Sequence, residues 1–428
     1  MWTTWLEPQA PLPTYEMCRY AVLVPDTDGG VLFSGEVTEP DGRTGFALYR
    51  ADPSGHVARI ALGDASEPEG EVVFLDVTAD RVLAVSVFPD PPESSRRGYP
   101  GAHDASVLLS VRAGLGAPAR ATLQLAETRS AWPLGGERWL SVGARLPRTS
   151  TTWTWDQRGH TRRTHPAAES HGTAQEPLDV YDVAGRGDAW ATRGTVAGDE
   201  GATTVSVFGG DGRLRWHVRE SRLASSSVAF DATGGLWAAG MTRGLDALGA
   251  QRFPVPPLAP PAHGPPPREA HVPGQVSFHE AVVPSLFGSV LAKIHLLDGG
   301  RLEAGDVLDG VLLRYTAGGS LASVRYFPSG AVAGLTHLMP DGDGMTAVAF
   351  VEGALPDALR GHLNGEDAFR GGTLLVHFDA RGNVVSAEPL GEGERVVMHI
   401  VRVPDGYVAL SLDEEHRCEL ARFELGPP

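Results

Sequence analysis

Residues Ser226–Gly240 read SSVAFDATGGLWAAG. Val228-Ala229-Phe230 is a short apolar run. Asp231-Ala232-Thr233-Gly234-Gly235 is a turn, and Leu236-Trp237-Ala238-Ala239 is a second apolar run closed by Gly240. Short apolar runs separated by Gly and Asp clusters are strands joined by a tight hairpin. The glycines supply the positive φ that such a turn needs. A helix here would carry two adjacent glycines in its interior, at about 1 kcal/mol each relative to alanine.

Outward from this hairpin the same order recurs. Residues 20–63 read YAVLVP, a DTDGG turn, VLFSGEV, then GFALYRAD, a PSG turn and HVARIALG. That is strand, Gly turn, strand, connection, strand, Gly turn, strand. Comparable units begin near residues 72, 130, 178, 290, 335 and 396, and the unit that holds Ser226–Gly240 degenerates after its first hairpin. The first turns fall near Gly29, Asp80, Gly135, Gly187, Gly234, Gly299, Gly342 and Asp405. A four-stranded unit repeated at roughly 50 residues is a β-propeller blade. One four-stranded sheet cannot cover both of its faces, so such sheets stack against one another. The expected fold is therefore all-β, one propeller over residues 1–428 with seven or eight four-stranded blades. The last unit lacks a fourth strand, and residues Trp2–Leu6 are the candidate to supply it by pairing the N- and C-terminal strands. Closure of this kind removes exposed strand edges.

The pieces SSVAFDATGGLWAAG (226–240), GTLLVHFDARGNVVSAEPL (372–390), FALYRADPSGHVARIALG (46–63) and GVLLRYTAGGSLASVRYF (310–327) share one order. An apolar run, a D-x-x-G or related turn and a second apolar run follow each other. In this the chain resembles bacterial β-propeller repeat proteins. The motif is loose, and the resemblance implies the fold and no single chemistry.

Two stretches interrupt the repeat. Residues 241–286 hold the run FPVPPLAPPAHGPPP, an extended polyproline segment with Pro256 and Pro260 near its start. Residues 352–370 carry Leu355, Leu359 and Leu363 at a spacing of four, which predicts a short amphipathic helix. Residues 89–103 are a third, polar loop. None has the character of a domain linker.

Composition narrows the function. The chain of 428 residues has 53 Gly and 33 Pro, which excludes a helix bundle. Asp plus Glu number 53 against 36 Lys plus Arg, giving a net charge of -17. That balance argues against nucleic acid and against an acidic membrane surface as partners. Lys293 is the single lysine, a bias that fits a GC-rich bacterial coding sequence. No apolar stretch reaches membrane-span length, and the N-terminus lacks the pattern of a signal peptide, so a cytoplasmic location is expected. Cys18 and Cys418 do not make a disulfide framework, and the simplest expectation is two free thiols. Both flank the closing strands, so a disulfide there is the alternative.

The usual catalytic signatures are missing: no G-x-x-x-x-G-K-[ST], G-x-S-x-G or H-E-x-x-H occurs. His295, His337 and His399 each fall in a first strand of their unit, the strand that lines a propeller channel. Three imidazoles from adjacent blades form a candidate ligand site, or a divalent-metal site. Tyr20, Asp76, Asp179 and Asp231 also fall on or at the ends of first strands. Their ordinary role is solvation or turn capping. Trp153 and Trp155 alternate along one strand and, with Pro256 and Pro260, are the candidate partner-binding residues. The leading expectation is a non-catalytic scaffold or binding module, monomeric by itself, that engages a protein partner within a bacterial multiprotein system and needs no cofactor. The alternatives are a channel-mouth hydrolase or lyase on a small polar substrate, and a carbohydrate binder.

Overall fold

The computed structural model describes residues 2–5, 22–38, 44–62, 71–78, 81–88, 106–125, 128–135, 138–143, 150–155, 161–166, 178–196, 203–210, 213–220, 224–243, 276–278, 294–296, 308–327, 332–352, 355–363, 369, 371–391, 395–412 and 418–424. Strands dominate them, and no helix among them is long and apolar enough to cross a membrane.

Five sheets have four antiparallel strands, one has eight, and a further pair forms a two-stranded hairpin. The eight-stranded sheet is two meanders in succession, linked by one parallel pair, Leu308 with Val332. Counted as sheets there are six larger ones among the described residues, not the seven or eight expected. The first four meanders run over residues 23–60, 71–125, 128–166 and 178–220. The fifth consists of Ala224–Phe230, Leu236–Arg243, Leu308–Tyr315 and Leu321–Phe327. The sixth covers 332–389. In the last, Val396–Val403, Gly406–Leu412 and Cys418–Glu424 are completed by Trp2–Trp5. The fold is a β-propeller of repeated four-stranded antiparallel blades.

One correction concerns the repeat itself. Leu236–Arg243 pairs with Leu308–Tyr315, from Leu236 opposite Tyr315 to Arg243 opposite Leu308. The two units read separately at residues 226 and 290 therefore share one blade. Gly299 lies outside the described residues, and the stretch between the two paired strands is 244–307, against the 241–286 expected.

The N-terminal strand takes the expected place. Trp2 lies opposite Arg422 and Trp5 opposite Glu419, so the two chain ends share a sheet. Cys418 opens the C-terminal strand and is disulfide-bonded, which corrects the expectation of a free thiol. The chain's other cysteine is Cys18, outside the described residues.

The core lies between sheets rather than within one. Ala191, Val205 and Val207 of the fourth meander pack on Leu236, Ala238 and Val311 of the fifth. Trp237, Ala239 and Leu312 of the fifth pack on Ala347, Leu374 and Val376 of the sixth. Val348 and Leu375 of the sixth meet Ile400, Tyr407 and Ala409 of the seventh. The alternation along each strand sends successive residues to opposite neighbours, as a pleated sheet requires.

The segment 352–370 differs from its expected helix. Its described residues form a single 3-10 turn, Asp357–Leu359, and then a bridge from Leu363 to Ala387. Leu355, Leu359 and Leu363 are nevertheless buried together in the core beside Phe327 and Leu374. The spacing of four registered burial, and the surrounding Gly and Pro prevented the helix.

Candidate functional site

Three elements decide what reaches the inner strands: the hairpin turns, the bulges and the seams between meanders. The turns are the most regular. In Asp231–Gly235 the Asp231 amide donates to the Gly235 carbonyl at 2.9 Å, and Gly234 donates back to Asp231 at 3.1 Å. Asp231 Oδ1 accepts from the amides of Thr233 at 2.9 Å and Gly235 at 2.8 Å. The same pattern returns at Asp52 and Asp379. Gly234 holds φ 88°, which an L side chain rarely adopts. The D-x-x-G reading therefore has a physical cause: a carboxylate folds the turn over itself, and glycine takes the left-handed corner.

Asp231 does more than cap its turn. Its Oδ2 accepts from Trp237 Nε1 at 3.0 Å and from Arg314 Nε and NH2 at 3.2 and 3.1 Å. Burial would raise this carboxyl, but the bonds from Thr233, Trp237, Arg314 and Gly235 outweigh it and hold it below the usual carboxylate range. The equivalent position faces a third-strand side chain in two other meanders, Asp26 with Arg50 at 2.6 Å and Asp341 with His377 at 3.7 Å. These acids fasten turns. Asp231, whose expected ordinary role is solvation or turn capping, is 1 % exposed and belongs to this set.

The first strands carry a second repeat. The register slips by a bulge between Val72 and Phe74, Thr128 and Ser130, Val180 and Asp182, Ser225 and Ser227, Thr336 and Met339, and Val397 and His399. A bulge re-aims the next side chain. In the fourth to seventh meanders that region carries Asp182, Ser227, His337 and His399. Each of the first three reaches sideways to the following meander. Asp182 Oδ2 accepts from the Val228 amide at 2.8 Å, Ser227 Oγ from the Leu338 amide at 3.2 Å, and His337 Nε2 lies 2.8 Å from the Met398 carbonyl. Asp182 is raised, chiefly by burial, against the pull of Arg193 and the bonds from Val228, Val183 and Ser227.

His337 is the one described non-glycine residue at positive φ, 50°. A carbonyl only accepts, so Nε2 carries the proton and donates to Met398. Nδ1, 2.8 Å from Thr336 Oγ1, accepts from the hydroxyl. Burial lowers the ring's proton affinity. Both nitrogens are thus engaged within the protein.

The three predicted histidines fare differently. His337 and His399 come together, with ring centroids 6.5 Å apart and planes at 70°. The side chain of His295 lies outside what the structure describes, and only its backbone is placed. That backbone lies on Ile294–Leu296, paired with Val276–Phe278 opposite Ser277, inside the interruption of the fifth meander. No group of three His, Cys, Asp or Glu able to hold a metal occurs among the described residues. Trp153 and Trp155 lie on Ser150–Trp155, with Trp153 opposite Trp139 and Arg163. Pro256 and Pro260 lie outside the described residues. Asp182 and Ser227 went unnoticed in the sequence, because a bulge has no signature in residue type.

The two ends of the strands also differ. Among the described residues, connections between first and second strands, and between third and fourth, are short turns at one end. Connections between second and third strands leave from the other end. Three of these span 89–105, 244–307 and 353–370. The longest begins and ends at the paired residues Arg243 and Leu308, so its two ends are neighbours.

No family model matches the chain, and no curated protein matches it. Among solved structures it is similar to the acylaminoacyl peptidase of Pyrococcus horikoshii, 9% identical over 92% of this chain and 50% of that one, with a TM-score of 0.42. It is similar to the β-propeller domain of the Trilobed protease from Pyrococcus furiosus, 10% identical over 83% and 98%, with a TM-score of 0.33. A third is polysaccharide lyase Uly1, 8% identical over 95% and 90%, with a TM-score of 0.46. The chain spans half the length of the peptidase. None of their activities is carried to this chain.

Proposed function

We propose that the protein is a non-catalytic binding module that engages a protein partner through the end of the strands bearing the long connections. Each four-stranded meander is read as one blade, with the two chain ends closing the ring. The carrying observation is the use made of the inner polar groups. Asp182, Ser227 and His337 are bonded to the next meander. Groups engaged in holding a scaffold together are poorly placed to do chemistry on a substrate, and ligand-facing residues sit more often on loops carried by a rigid frame. Residues 244–307 form the largest such connection, and Trp153 and Trp155 lie on a third strand, which begins at the same end.

The test removes the connection. Residues 246–305 are replaced by a short Gly-Ser linker, which the adjacent ends at Arg243 and Leu308 permit. The far-ultraviolet circular dichroism is expected to stay unchanged, and a stoichiometric protein partner retained by the whole chain is expected to be lost. Turnover of a small polar substrate, abolished by His337→Ala with the partner retained, would establish the hydrolase or lyase reading instead.

A further inference from the structure

We propose that the seam between the sixth and seventh meanders is an acid-sensitive joint, at which protonation of His337, facing the His399 ring, loosens the sheet that holds both chain ends. This inference is independent of the binding role above.

The seams are stitched with different chemistry. Between the fourth and fifth meanders, Arg186 donates to the Ala232 carbonyl and Trp216 Nε1 to the Ala317 carbonyl at 3.1 Å. Between the fifth and sixth, Arg325 donates to the Gly382 carbonyl at 3.2 Å and to Asn383 Oδ1 at 2.5 Å. Arg422 reaches from the seventh to the carbonyls of Gly29 and Pro53 in the first, at 3.5 and 3.4 Å. Arginine, tryptophan and carbonyl groups keep one charge state between pH 5 and 8, and the carboxylate among these seams is Asp182, bonded to the Val228 amide between the fourth and fifth. The sixth–seventh seam instead carries the His337 bond to Met398 and two histidine rings in contact distance. Imidazole is the side chain whose charge changes in that interval.

Burial favours a neutral His337 ring, against the Met398 carbonyl, which favours the charged one. Its own strand presents the Thr336 hydroxyl. The seventh meander presents the Met398 carbonyl and His399. The fifth presents Ser227, which accepts from the neighbouring Leu338 amide. A proton on Nδ1 would displace the Thr336 hydroxyl as donor and place a charge beside a second imidazole. Further along the seam, Asp341 bonds Arg402 at 2.5 Å and faces His377, with Thr346 and Tyr407 adjoining. Asp341 is held below its usual range, chiefly by the Arg402 bond, so it stays ionised at pH 5 and its loss belongs to a lower window. Asp182 titrates two seams away and is separated by position.

The signs agree. A histidine held neutral by burial binds fewer protons folded than unfolded. Stability at the seam is then full above the unfolded value near 6.5 and falls as the pH drops below it. What loosens is the sheet of Val396–Val403, Gly406–Leu412, Cys418–Glu424 and Trp2–Trp5.

The experiment is amide hydrogen exchange on the whole chain at pH 7.5 and 5.0, corrected for intrinsic rates. Exchange within Val396–Val403 is expected to rise by about tenfold at pH 5.0, with Leu236–Arg243 unchanged. His337→Asn is expected to reduce the rise to less than about threefold, because asparagine tolerates the left-handed backbone and does not titrate. An equal rise in the variant, or none in the natural chain, overturns the proposal. Should the variant fail to fold, the imidazole proton resonances of the natural chain decide. His337 staying neutral below pH 6.5 and titrating together with the exchange onset supports the joint. Titration at or above 6.5 overturns it.

Discussion

The two ends of the strands show opposite relations between sequence and structure. At one end every described hairpin is short, and at Asp52, Asp231 and Asp379 a carboxylate folds back on its own turn amides. At the other end the connections run up to residues 244–307 in length. The first end is built from contacts a few residues apart, and the second from whatever the frame tolerates. Long connections cost little once their ends are held together, since closure entropy grows slowly with length. The short-turn end therefore carries the stability, and the long-connection end is free to vary.

Four changes test that contrast, in decreasing order of effect. Asp231→Ala removes the acceptor of its turn amides, of Trp237 and of Arg314, and leaves the guanidinium without its carboxylate. It is expected to cost about 3–5 kcal/mol in urea denaturation. A loss below about 1 kcal/mol would show that the turns do not carry the frame. Gly319→Ala sets a Cβ 2.7 Å from Trp216, at φ +86°. About 2 kcal/mol is expected, read as a fall in the thermal midpoint. Asp341→Asn acts on a third-exposed carboxyl and is expected to cost less than about 1 kcal/mol at pH 7. Its signature is the acid limb. The carboxyl is held below 3.8, so its contribution is present above that value and is lost as the pH falls through the depressed one. The variant should show a shallower loss of stability below pH 4, measured by denaturant titration across pH. Replacing residues 246–305 by a short linker should lower stability by less than about 1 kcal/mol. A collapse of the urea transition would mean that the long-connection end is structural after all.

Much of the fold was legible. Gly234 and Gly382 in their D-x-x-G turns mark hairpins because only those residue types fold so tightly, and the missing fourth strand of the last unit correctly pointed to Trp2–Trp5. The blade count was less legible. Gly299 follows an apolar run and reads as a blade turn, while the partner of Leu236–Arg243 lies beyond it at Leu308–Tyr315. Leu355, Leu359 and Leu363 signalled burial, but their spacing did not distinguish a helix from a 3-10 turn and a bridge. At the inner strands, sequence register placed three histidines at four, five and seven residues before their turn glycines. The structure unites two of them.

By itself the sequence determined the strand-and-turn alphabet, the absence of helical layers and the sheet shared by the chain ends. These follow from short-range rules: which residues accept a positive φ, and which alternate between two packed faces. Only the tertiary structure decided that Asp182, Ser227 and His337 reach sideways from successive first strands, that His337 meets His399 across a seam, and that the interruption at 244–307 leaves and rejoins one blade. Those relations depend on bulges and on strand partners tens of residues apart. Neither leaves a trace in local composition, because each is settled by which backbone groups find a partner once the sheets have stacked.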